Sequence, residues 1–447
     1  MPFDRDAPAT KCTHLHRWQF RARRMSDALN ITSNMNEAPS GSASPPKVGK
    51  KTGRRVFRWL GIGLSSILLG LLGWDVITFD RGTWLRDFEA LEVTMAREYA
   101  NLDWMVERRG VDPVKLDRDT RAALDGAFTR VQAFLALRRF VRAFQDPHFK
   151  LTRGRGPSPA PPPAAEAPEP PSPPVASCAS AGYEARAVDF RFPFKKMKGF
   201  ALVHEAPFPA GVTGELGVIR IAHFGEDRYL ATCEQAFSAG MDERALKLAV
   251  RAKLQEALLA AIGSLRDRGA KRLLVDLTGN GGGTEWVSEA VPLFTERTLH
   301  RKEARIVSPT CDRAPLWRGE KVCSIFSDTP ETTTLEGRGA WKGPLFVLTD
   351  RGTGSASEDF VAWFKDNGAA TILGARTAGA GCGYVNGGGR FALREIGFDV
   401  HMPNCARFRA DGTNEVEGIT PDISLPLDEA DEKKMTALEA ALAAPRP

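Results

Sequence analysis

The sequence predicts a layered α/β core, preceded by a helical region and, before that, by a basic stretch that runs into an uncharged apolar segment. Three observations carry this reading. From about residue 178 short apolar runs alternate with longer amphipathic ones, the pattern of strands and helices packed in layers. Between 83 and 145 apolar residues recur at helical spacing. Six Lys and Arg between 47 and 58 lead directly into WLGIGLSSILLGLLGW, residues 59–74, sixteen residues without a charge.

Residues 1–55 are polar and basic, and no core is expected of them. Residues 1–58 hold 12 Lys+Arg against 4 Asp+Glu, which leaves 49 against 51 for everything after. The body is near neutral, so charge does not suggest a nucleic-acid partner. A basic flank before an apolar segment is what the positive-inside rule asks of a signal anchor, here residues 56–79, with the apolar character carried on by Val76, Ile77 and Phe79. The expectation is a single membrane anchor with the body exported, on the periplasmic or extracellular side. A cleaved signal peptide and a buried core helix are the alternatives, and no small-x-small cleavage site follows the segment.

Residues 80–153 form the helical region. Helices are expected over 83–110 and 115–145, with Leu124, Phe128, Val131, Phe134 and Leu135 largely on one side, and the region ends at FQDPHFKL. Residues 154–177 are too rich in proline to pack a core and read as an extended linker. The core spans 178–430. Strands are expected at 214–224, 271–277, 344–350 and 370–375, helices at 245–269 and after residue 355, and a glycine-rich hairpin excursion at 383–405. Residues 431–447 close the chain as a helix or tail.

Six cysteines follow the apolar segment, an even number that suits an oxidising compartment. Six allow 15 pairings. The expected set is Cys311 with Cys323 and Cys382 with Cys405, each across a short excursion, leaving Cys178 with Cys233. No CxxC pair is present to suggest structural zinc.

Two strand-to-helix junctions carry unusual residues. DLTGNGGGTEW, residues 276–286, lets a backbone approach a ligand closely. It lacks the Walker lysine, and Thr284 stands where a dinucleotide loop needs its third glycine, which leaves an oxyanion hole or a tight turn. RGTGSASEDFVAWF, residues 351–364, turns through glycines into a helix. Ser355 with Glu358 fits a capping box, and the same serine stands where a helix N-terminus would stabilise negative charge on an attacked carbonyl.

LLVDLTGNGGG, then PLFVLTDRGTGSASEDFVAWFKDNGAATILGARTAG, then EVEGITPDISL resemble the tail-specific, C-terminal-processing serine protease family, which includes the tricorn protease core and retinoid-binding relatives. The similarity covers 214–427 well and 84–150 weakly. It implies a crotonase-like, Clp-protease-like αβ core, Ser355 as nucleophile, and an oxyanion hole shared by the Ala356 N–H and the Gly281, Gly282, Gly283 loop. Ala380 stands where Ser-Lys members carry their lysine, and Lys365 lies within the helix instead. The tricorn-like branch takes a histidine from a D-x-H segment, which His148 of QDPHFKL matches. It orients that histidine with a carboxylate before the GVxPD signature, which places Glu415 in that role, with Glu417 as the alternative and Val416 where a glycine is usual.

The implied function is a serine endopeptidase of the Ser-His-Glu type acting on protein or peptide substrates, with no metal or organic cofactor required. The stretch between 150 and 214 is too short for the PDZ module of many members. The competing reading is a catalytically inactive ligand- or peptide-binding protein on the same fold. A nucleotide-using enzyme built on the GNGGG loop is a third.

Overall fold

Capping residues interrupt the apolar periodicity of the first region, which therefore folds as four helices where two were expected. The computed structural model describes residues 70–154, 173–308, 310–326, 329–385, 388–393 and 396–444. Helix α1 (Arg81–Glu98) starts where the Asp80 carboxylate accepts from Gly82 N, and α2 (Leu102–Glu107) is a short segment after Asn101. Helix α3 (Pro113–Asp125) starts with Asp112 accepting from Lys115 N and a proline in the first turn, while α4 (Arg130–Ala143) starts with the Thr129 hydroxyl accepting from Gln132 N. The restart at Thr129 resets the helical phase. The buried face of α4 is Ala133, Ala136, Leu137, Phe140 and Val141, whereas Phe128, Val131 and Leu135, expected on one side with Leu124, are exposed while Leu124 is buried. Strand β1 (Lys150–Arg153) follows at once.

The core begins with β2 (Ala201–His204), β3 (Ala210–Thr213), β4 (Leu216–Arg220), α5 (Leu230–Ala236), α6 (Glu243–Asp267) and β5 (Arg272–Asp276). A short α7 (Val287–Ala290) leads to β6 (Leu299–Lys302), β7 (Arg305–Ile306) and β8 (Thr332–Leu335). Then come β9 (Leu345–Thr349), α8 (Ala356–Asp366), β10 (Thr371–Gly374), β11 (Arg390–Leu393), β12 (Phe398–His401), β13 (Cys405–Ala406), β14 (Ile423–Ser424) and α9 (Asp431–Ala443).

The main sheet has seven strands in the order β14-β10-β9-β5-β4-β3-β2. From β4 to β14 the pairings are parallel, with Leu274 beside Phe346 and Phe346 beside Thr371, and β3 is antiparallel to both its neighbours. The strands read as unbroken apolar runs because both faces are covered. Leu273, Val275, Leu345, Val347 and Ile372 pack with α6 and α8, while Leu274, Phe346, Leu348 and Leu373 pack with Phe192, Phe194 and α9. The expected strand at 214–224 is the second arm of a β3–β4 hairpin that turns at Gly214.

The helical region does not stand apart. A second sheet, β1-β12-β11, pairs the strand after His148 with the 383–405 excursion, and Leu393, Val400, Met402 and Val416 share one apolar cluster with Phe88, Phe140 and Phe149. The described residues fall in one compact unit. All three expected disulfides are present: Cys178–Cys233, Cys311–Cys323 and Cys382–Cys405.

The basic stretch, most of the apolar segment and nearly all of the proline-rich linker lie outside the described residues. Among the described residues no helix is long and apolar enough to cross a membrane. Residues 70–78 are helical and hold Leu71, Leu72, Trp74 and Ile77 exposed.

Candidate active site

Ser355 sits at the turn from β9 into α8 with φ 55° and ψ −119°, one of two non-glycine residues with positive φ among those described. Such a backbone costs on the order of 1–3 kcal/mol and persists only where its surroundings fix it. Here they do so on both sides of the residue. Ser355 N donates to Glu358 Oε2 at 2.9 Å, and Ser355 O accepts from Arg407 Nη2 at 2.8 Å. The capping box foreseen at Ser355 is thus present on its carboxylate side. The Glu358 carboxylate, fully buried, also accepts from Thr377 Oγ1 and from the amides of Gly379, Ala380 and Gly381. It fixes the elbow and the 377–381 loop to each other. Lys365 is turned elsewhere and pairs with Asp422.

The glycine loop closes over this elbow. Gly354 N donates to Asn280 O at 3.0 Å, and Gly279 N donates to Asp350 Oδ1 at 2.7 Å, so the two junctions are tied together. A Cβ built on Gly282 would lie 2.7 Å from Ser355 Cβ and 2.8 Å from Ala356 N. Ala356 N is the first amide of α8 and has no carbonyl below it in the helix, so it faces the space beneath Gly282. Of the three loop amides, that of Gly282 is already committed to Asn280 Oδ1 at 3.0 Å. The expectation of a Gly282 N–H in the oxyanion hole is therefore corrected: Gly282 contributes the room left by its missing side chain. Gly282→Ala, at φ +103°, is expected to cost about 2 kcal/mol or more and to abolish reactivity of the serine, checked by urea unfolding and serine-probe labelling.

His148 follows Asp146 in a tight turn. Its N–H donates to Asp146 Oδ1 at 2.9 Å, while Asp146 Oδ2 accepts from Tyr99 OH and Asn101 Nδ2. The ring lies against Gly383, edge-on to Tyr384, whose hydroxyl donates to His148 O. Its Nε2 is buried without a hydrogen-bond partner. Burial above all, then the charges of Lys150 and Arg407, pull its pKa down to about 4, so the imidazole is neutral near pH 7 and able to accept a proton. His148 and Ser355 share Arg407 as a neighbour, and Arg407 also bonds Gly381 O.

The lowered pKa has a sign. Between pH 6.5 and about 4 the unfolded chain binds a proton at this histidine that the folded chain does not, so folded stability falls as pH falls through that window. Relative to His148→Gln, the wild type is expected to lose on the order of 3 kcal/mol from pH 6.5 to pH 4, measured by urea unfolding at each pH.

Glu415 is fully buried near this site, but its carboxylate does not hold the imidazole. Oε1 accepts from Arg301 and Oε2 accepts from Arg407 Nε at 2.8 Å. The expectation of direct orientation is corrected for a physical reason: a buried carboxylate between two guanidiniums gains charge-assisted hydrogen bonds that a neutral ring cannot match. Glu415 instead anchors Arg407, which bonds Ser355 O and Gly381 O. Glu417 points away and accepts from Trp104 Nε1 and Arg109 Nε. The loops of His148 and Glu415 are joined through Asn101, whose Oδ1 accepts from Asn414 Nδ2 at 2.9 Å.

Glu358, Arg407, Arg301, Asp146, Asn101 and Asn414 were not picked out as site residues from the sequence. Glu358 was visible only as a helix-cap partner and Asp146 only as the first letter of its motif. The other four are brought in by tertiary packing and have no local signal.

A serine on a constrained strand-to-helix turn with the first helix amide beside it, and a buried neutral imidazole that shares Arg407 as a neighbour, are residue types that a serine hydrolase uses. Residues 215–425 match the sequence model of peptidase family S41. A carboxyl-terminal-processing protease of Synechocystis is 30% identical over 124 residues, which are 27% of this chain and 24% of the relative. The match thus spans about a quarter of that relative's length. Mature CPAF, at 14% identity, superposes over 81% of this chain and 96% of its own with a TM-score of 0.51. A Parabacteroides merdae protein provisionally named a peptidase, at 17% identity, does so over 80% and 96% with a TM-score of 0.51. At these identities the two structures bear on the fold alone.

Proposed function

We propose that this protein is a serine-type endopeptidase in which Ser355 attacks the peptide carbonyl and His148 takes its proton. The single observation that carries the reading is the Ser355 elbow, a backbone conformation unfavourable for serine yet fixed from both sides at the mouth of α8. As the tetrahedral oxyanion forms, Ala356 N–H stabilises it, helped by the positive end of α8 and by the Gly281 and Gly283 stretch of the loop. His148 then gives its proton to the leaving amine. Glu415 is the third member of the Ser-His-Glu set and acts one residue removed: it fixes Arg407, which fixes the carbonyl of the nucleophile.

The protein is further proposed to be held in a membrane by residues 56–79 with the peptidase region exported, acting on exported proteins. Three disulfides in the body suit an oxidising compartment, and the exposed apolar residues at 70–78 suit the end of a buried anchor. An alkaline-phosphatase fusion at residue 447 is expected to be active and a β-galactosidase fusion inactive; the reverse contradicts the export reading.

The activity is tested with the full chain, disulfides intact, on internally quenched peptides. Ser355→Ala and His148→Ala are each expected to lower kcat/KM by about a thousandfold or more. Unchanged turnover in Ser355→Ala overturns the reading, and no turnover by the folded wild type favours a binding protein on this fold.

A further inference from the structure

Beside the glycine loop lies a cavity of about 470 Å³ whose wall includes Gly281, Gly282 and Gly283, of which Gly282 lies against Ser355. Arg186 and Arg228 line it, and the same two arginines line a second cavity of about 340 Å³ that continues toward His204 and Lys253. Among the described residues lining either cavity, Asp227 is the one carboxylate, against Arg186, Arg228 and Lys253.

The two guanidiniums are built into place. Their segments are bridged backbone to backbone, with Ala185 opposite Tyr229, Glu184 N donating to Asp227 O and Arg186 N donating to Arg228 O. The Cys178–Cys233 disulfide ties the chain just before the first segment to α5, just after the second. Glu184, which lines neither cavity, accepts on one oxygen from both Arg186 Nη2 and Arg228 Nη1 and holds the pair side by side. Those hydrogen bonds and charges also keep its carboxyl below the usual range, so it remains ionised. A guanidinium carries five N–H donors in a planar fork; Glu184 takes one from each and Asp227 lies 3.3 Å from Arg228 Nε, which leaves the remaining donors of both forks for a ligand.

We infer that this cavity is a substrate subsite that takes a carboxylate of the bound peptide, an Asp or Glu side chain close to the scissile bond. The inference rests on the peptidase reading for the orientation of the chain. Gly282 lies against Ser355 and also lines the cavity that holds Arg186 and Arg228, so the subsite adjoins the nucleophile across this one residue. Arginine forks match carboxylates in a bidentate way that a single lysine cannot. Side-chain exposures of 52% for Arg186 and 37% for Arg228 leave both forks reachable.

The test uses internally quenched peptides capped at both ends, identical except for Glu or Gln at each position flanking the cleavage site, with a parallel set carrying an uncapped C-terminus. Full-length wild type is expected to prefer Glu over Gln at one position by about tenfold in kcat/KM. The preference should fall to within about twofold in Arg186→Gln and Arg228→Gln. A ratio between two peptides reads only folded protein, so partial misfolding of a variant cannot imitate its loss. The same fluorescent peptides are also bound to Ser355→Ala and followed by anisotropy. Glu-over-Gln binding without any cleavage by wild type keeps the subsite and removes the peptidase reading. Cleavage with equal rates and equal binding for Glu and Gln overturns the subsite, as does a preference that follows only the uncapped terminus.

Discussion

Glu358→Gln is expected to destabilise the protein by about 3–5 kcal/mol and to silence Ser355, although the substitution changes one atom of the side chain. The carboxylate is fully buried and every group around it is a donor: Thr377 Oγ1 at 2.6 Å and Gly379 N at 2.7 Å on Oε1, and the amides of Ser355, Ala380 and Gly381, each at 2.9 Å, on Oε2. A glutamine must turn its NH₂ toward one of the two groups, so two or three N–H or O–H donors then face another donor. Each orphaned buried donor costs about 1–3 kcal/mol. An ordinary exposed helix-cap contact is worth about 1 kcal/mol. The magnitude therefore separates the two roles of this residue. Urea unfolding that shows a loss of 1 kcal/mol or less would mean that Glu358 is only a cap.

The second large effect is expected at Glu415. Glu415→Gln removes the shared counter-charge of Arg301 and Arg407, and a buried guanidinium left without its carboxylate costs about 3–5 kcal/mol. Burial draws the Arg301 pKa down to about 10, so its charged form already carries a desolvation cost. Asp359, which also accepts from Arg301, limits the damage. The decisive comparison is a pair of double-mutant cycles in stability. Glu415→Gln with Arg407→Gln should couple by about 1 kcal/mol or more, whereas Glu415→Gln with His148→Gln should be additive within about 0.5 kcal/mol. Strong coupling to His148 alone would restore direct contact with the imidazole.

These two residues also mark what was legible beforehand. The parallel strands could be read because strands buried on both faces leave unbroken apolar runs, and the long helix α6 because its apolar stripe ends at Asp267 close to a glycine. The elbow could be read from glycines around a serine at a strand-to-helix junction. The disulfides could be read because two pairs closed short excursions and only one pair was left. The helix phase after Gly126 could not, since a cap at Thr129 outweighed a periodicity that ran on through the break. Nor could the partnership of Glu415, because Arg301, far away in sequence, and Arg407, across a loop, meet its carboxylate only in the tertiary fold. The strand β1 was hidden for the same reason: four residues beside a proline-rich stretch carry no alternation strong enough to announce pairing with β12. That pairing matters, because it holds the chain after His148 to the 383–405 excursion, where the ring lies against Gly383.

The most direct measurement is labelling of the full-length, disulfide-intact protein with a fluorophosphonate probe, followed by peptide mapping of the adduct. A single adduct on Ser355 in the wild type, absent from Ser355→Ala and from His148→Ala, is the predicted result. Folded wild type that takes no label, or label that persists in Ser355→Ala, would contradict the claim that Ser355 is a nucleophile activated by His148.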